Sequence, residues 1–94
     1  MDQVKFERLL VLLDQAEVLA SEFSGGYSNS FLSAEEFHQA LRTSIKSLKE
    51  GNLSEISAMW LYFAPTCDWD DLIGKDGMDL ANQIFELLSD LEKS

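Results

Sequence analysis

Little in this chain is available to lock it covalently or to run side-chain chemistry. Cys67 is the only cysteine, Pro65 the only proline and His38 the only histidine among 94 residues. A single thiol excludes an intrachain disulfide and any structural zinc site that needs two or more thiolates, and it fits a reducing compartment. Bases are scarce too: seven lysines and arginines stand against seventeen acids, for a net charge of −10. That balance repels nucleic acid and membrane surfaces and favours encounter with cationic ones, so the expected partner is basic, with no nucleic acid and no membrane. Long apolar runs are also missing. Glu7, Asp14, Glu17 and Glu22 interrupt the N-terminal run, which neither a signal peptide nor a membrane span tolerates, so the expected location is the cytoplasm.

No alternating pattern marks a strand, and there is no internal repeat or low-complexity segment. What remains is helical. Apolar residues at 46% and charged residues at 26% are ordinary globular values, and the length suits a single helical domain spanning 1–94. From Val4 to Phe23, the residues Phe6, Leu9, Leu10, Leu13, Ala16, Ala20 and Phe23 recur at helical spacing. Val11, Leu12, Val18 and Leu19 widen this stripe, which predicts a central helix touching neighbours on more than one side, closed at Ser24-Gly25-Gly26. Tyr27 and Asn29 fall in the loop that follows. Ser33-Ala34-Glu35-Glu36 has the capping-box pattern, Leu32 and Phe37 occupy the hydrophobic-staple positions, and Phe37, Leu41, Ile45 and Leu48 carry the second helix to Gly51. Arg42, Lys46 and Lys49 near its end complement the helix dipole.

Asn52, with Glu55 three residues on, offers a weaker cap for a short third helix through Ile56, Met59, Trp60 and Phe63, stopped by Pro65. The aromatic group Trp60, Tyr62 and Phe63 reads as core. Asp76-Gly77-Met78-Asp79 opens a last amphipathic helix, with Asp76 as its cap and Ala81, Ile84, Phe85, Leu88 and Leu91 on its apolar face. The fold class is therefore all-α: a compact bundle of four main helices plus a short helical turn near 69–73. Antiparallel and orthogonal packing both remain open.

The segment from Ala64 to Gly77 carries Trp69 and four acids. Asp68 is placed to cap a helical turn from Trp69 to Ile73 with Gly74 as its exit, which gives part of the acidity a structural use. A calcium loop beginning at Asp68 fails where it is strict: Ile73 stands at the glycine position and Asp79 at the terminal glutamate. Paired-carboxylate catalysis lacks residues spaced to enclose a substrate. His38 has no nucleophile in sequence reach, Cys67 has no second histidine to activate it, and no glycine pattern cradles phosphate. The expectation is no enzyme, no metal and no cofactor. Protein recognition is the remaining class. Residues 1–49 carry net −2 and residues 50–94 net −8, so Glu55, Asp68, Asp70, Asp71, Asp76 and Asp79 are candidates for one acidic rim, with Trp69 as its aromatic anchor.

In size, acidity and inferred helicity over its whole length, the chain resembles the immunity proteins of bacterial toxin systems, those of contact-dependent growth inhibition and of nuclease bacteriocins. The segment Ala64-Pro65-Thr66-Cys67-Asp68-Trp69-Asp70-Asp71 has the character of a family signature. The resemblance implies a cytoplasmic, stoichiometric inhibitor: a monomer that forms a 1:1 heterodimer with a cognate basic toxin domain. That domain would be a nuclease, with an RNase favoured, neutralised by covering its active site or substrate-binding face. The alternative class is a small acidic helical adaptor or regulatory protein-binding module.

Overall fold

Asp2 opens the first helix by accepting the backbone N–H of Lys5 at 3.2 Å, a side-chain cap on one of the amides the helix leaves unpaired. The computed structural model describes residues 2–26, 28, 31–64 and 67–93, and among them no strand occurs. Helix α1 spans Gln3–Ala20, α2 Ala34–Lys49, α3 Glu55–Phe63, α4 Asp68–Leu72 and α5 Met78–Lys93, with a 3-10 turn at Gly74–Gly77 leading directly into α5. Tyr27, Asn29, Pro65 and Thr66, which the sequence assigns to loops, lie outside the described residues.

Each long helix packs against two others: α1 against α2 and α5, and α3 against α2 and α5. The four therefore form a ring around one core in which Leu9, Leu13, Phe37, Leu41, Met59 and Ile84 are sealed from solvent. Hydrogen bonds from Trp60 to Ser89 and from Ser57 to Glu92 show α3 running antiparallel to α5. Helix α1 touches neighbours on two sides, as expected, but it is one member of the ring and not central to it. Leu12 joins the core, but Val11 and Val18 face outward, because the wide stripe spans more of the helix surface than two neighbours cover.

Helix boundaries follow local chemistry, with several departures from the sequence reading. Helix α1 stops at Ala20, short of the glycines. Gly25 and Gly26 do adopt positive φ (73° and 70°), but they steer the connection to α2 and do not close α1. Only half of the capping box forms: Ser33 Oγ accepts the Glu36 N–H at 3.2 Å, while the neighbouring carboxylate of Glu35 takes the Gly25 N–H at 2.8 Å. Leu32 is 81% exposed, so no staple forms with Phe37, and Phe31 packs edge-on against Phe37 at 5.3 Å in its place. Asn52 is not a cap: its amide donates to Ser47 Oγ, and Ser54 precedes α3 without a side-chain capping bond. Where α2 ends, Gly51 at φ 102° allows the paired closing bonds Gly51 N–H to Leu48 O and Asn52 N–H to Ser47 O.

Candidate functional site

The acidic segment folds as α4, the 3-10 turn and the first turn of α5, and its residues separate by depth. Trp69 is wholly buried, so it is not a surface anchor. Its indole Nε1 donates to Gly77 O at 3.0 Å, and its ring lies 5.1 Å from Phe63 and 6.2 Å from Phe37. The physical reason is area: an aromatic of this size on a five-residue helix finds more cover under α2 and α3 than in water, provided its one donor is satisfied. Gly77 makes that fit, since a Cβ there would stand 2.6 Å from Trp69 Cζ2 and 2.9 Å from Nε1.

Asp68 is also removed from the expected rim. It is 4% exposed and accepts a hydrogen bond from Ser28 Oγ at 2.5 Å, forty residues away in the chain. Ser28 Oγ in turn accepts the Phe31 N–H at 3.2 Å, so this carboxylate fixes the α1–α2 connection onto α4. Asp68 is the first residue of α4, and Cys67 takes the cap position; the cysteine is free and half-buried. Gly74 exits the helix at φ 68°, as its place in the sequence suggested.

Asp70 is half-buried, and Asp71, Asp76 and Asp79 are exposed. Asp76 is not the cap of α5, because the chain is already turning as a 3-10 helix through Gly77 before α5 begins at Met78; Asp79 lies in the first turn of α5, where the helix dipole favours it. Glu55 opens α3, whereas α4 follows the other end of that helix. About 12 Å of helix therefore separates Glu55 from the remaining acids along the α3 axis. The predicted rim thus resolves into an exposed group at 71, 76 and 79, with Asp70 beside it, Glu55 apart, and two buried members that hold the fold.

Cation pairing divides the molecule more sharply than the sequence does. The ion pairs among the described residues are Lys5–Asp90 at 3.3 Å, His38–Glu17 at 3.1 Å, Arg42–Glu17 at 4.0 Å and Lys49–Asp14 at 2.9 Å. Every one draws on α1. The basic stripe Arg42, Lys46 and Lys49 lies along a groove against Asp14, Glu17 and Glu50, so part of its charge is spent on α1. Glu55, Asp71, Asp76, Asp79 and Glu86 take part in no ion pair among the described residues.

No group of three or more histidine, cysteine, aspartate or glutamate side chains is arranged to hold a metal ion among the described residues. Among the described residues, no helix is long and apolar enough to cross a membrane. Sequence reasoning gave no role to Ser28, which holds Asp68, or to Gly77, which fits the Trp69 ring. Trp60 packs against the core, as expected, but stays half-buried between α3 and α5. A scan against protein-family models finds no matching family, and comparisons with curated proteins and with solved structures find no match.

Proposed function

We propose that this chain is an immunity protein that binds a cognate basic toxin domain one to one and neutralises it without turnover. The observation that carries the reading is the set of exposed carboxylates at 71, 76 and 79, with half-buried Glu55, that form no ion pair among the described residues. An acidic surface left unneutralised accelerates encounter with a cationic one and penalises wrong partners. A nuclease, with an RNase favoured, supplies the complement, because its substrate-binding face must be basic to hold phosphates and carboxylates can take their places. In this reading Asp70, Asp71, Asp76, Asp79 and Glu55 face the partner, while Asp68 and Trp69 hold the segment in shape.

The test uses the protein encoded directly upstream, where the toxin of an immunity protein belongs. The expected result is a 1:1 complex and loss of RNA cleavage at stoichiometric ratio. No complex with that product, together with specific capture of a non-toxic protein, would replace this reading with that of an acidic adaptor module.

A further inference from the structure

Helix α2 turns the row Ala34, Phe37, Leu41, Ser44 and Leu48 inward, at the alternating three- and four-residue spacing of a buried seam. Ser44 is the polar member of that row. It is 7% exposed, and its hydroxyl makes no hydrogen bond among the described residues. A serine or threonine within a helix ordinarily returns its hydroxyl to the carbonyl four residues back, as Thr43 does to Gln39 O at 3.0 Å. A hydroxyl this deep is costly to leave without a partner, and an apolar side chain in its place would close the seam. Ser44 instead opens onto a groove.

Three elements build that groove: α2, α3 and the connection from α1 to α2. The small side chains of Ala40 and Ser44 leave the space, half-buried Phe31 and Tyr62 wall it, and exposed Glu36, Gln39 and Thr43 line it from α2. The rings of Phe31 and Tyr62 lie 5.6 Å apart at 68°. Rings set nearly at right angles make a corner and not a slot, so a flat heterocycle finds no two parallel faces to stack between. Among the described residues no lysine, arginine or histidine lines the groove, which argues against a phosphate or other anion as ligand. The grooves of α1 with α2 and of α1 with α5 differ in kind: both carry bases beside acids, and neither has an aromatic lining.

We infer that this groove is a binding site for a neutral sugar ring. A puckered ring sets its C–H groups against the corner of Phe31 and Tyr62, whose ring faces are electron-rich. One sugar hydroxyl completes Ser44, and others meet the Gln39 amide, which both donates and accepts, and the Glu36 carboxylate, which accepts. The site shares no residue with the acidic set at 55, 70, 71, 76 and 79, so it stands whether or not that set meets a basic partner.

Titration of the isotope-labelled full chain with cellobiose, maltose and chitobiose, followed by NMR, tests it. At least one of these sugars is expected to give saturable amide shifts centred on residues 39–44 and 62. Ser44→Leu, which fills the space, abolishes them, and Gln39→Ala, at an exposed position that leaves folding intact, weakens binding about threefold or more. Tetrasaccharides of the same sugars separate the sources: tighter binding than the disaccharide marks a glycan chain and equal binding a free sugar, and either supports the site. No saturable shift from any of the three sugars up to about 100 mM overturns the inference. So do shifts that Ser44→Leu and Gln39→Ala both leave unchanged. An equal response at the same residues to an uncharged glycine–serine peptide overturns the sugar in favour of polypeptide.

Discussion

Asp68 and Asp71 are three residues apart in the chain and opposite in role. Asp68→Ala deletes a buried acceptor and leaves the Ser28 hydroxyl without it, so a loss of about 1–3 kcal/mol is expected in denaturant unfolding. Asp71→Ala, at an exposed position, is expected to change stability by no more than about 0.5 kcal/mol. Gly77→Ala is the sharper probe of the Trp69 site. The added methyl must displace the indole or Ile73 Cγ2, itself 3.0 Å away, and overpacking of this kind costs about 1–3 kcal/mol, read as a lowered thermal midpoint. The acidity around Trp69 was legible in the sequence, but its division into buried and exposed members was not. Five residues are too few for an apolar period to show which side of α4 faces inward, and the partner of Asp68 is forty positions away.

Elements were far more legible than residues. Helices α2 and α5 carry apolar residues at helical spacing over four turns, and both begin within a residue or two of the expected starts. The end of α2 was readable because Gly51 is required there: only glycine takes φ 102° without strain. Gly51→Ala is expected to lower stability by about 1–2 kcal/mol with the helical content of the folded state retained. The capping box was misread because its pattern is silent about which of two adjacent glutamates has a better donor. Glu35 does, in the Gly25 N–H that the α1–α2 connection brings to it. That hydrogen bond, and secondarily one from its own backbone N–H, hold the Glu35 carboxyl below the ordinary glutamate value. A depressed carboxyl adds stability that is fully present above its unfolded value and is lost as pH falls through the folded one. The expected outcome is that Glu35→Gln is less stable than the parent at neutral pH and that the difference closes on acidification, followed by thermal unfolding across that range.

At the scale of the whole molecule, the sequence indicated a −8 half and a −2 half, and the fold converts this into a paired side around α1 and a side with few cations. Lys5 on α1 pairs with Asp90 on α5 at 3.3 Å, so the paired side takes in part of α5, while exposed charges further apart than the screening length of about 8 Å at physiological ionic strength are largely screened from one another. Self-repulsion at net −10 predicts a thermal midpoint that rises as salt is added. Attraction to a basic partner predicts the opposite trend for affinity. The most direct measurement is therefore calorimetric titration of the upstream-encoded basic domain with the parent chain and with the double variant Asp71→Asn, Asp79→Asn, each also followed by thermal unfolding. The expected result is affinity reduced about tenfold or more in the variant, a stability change no larger than the roughly 0.3–1 kcal/mol of the Asp79 dipole contact, and 1:1 binding by the parent that weakens with salt. Equal affinity of parent and variant, with both folded, would contradict the assignment of these carboxylates to recognition.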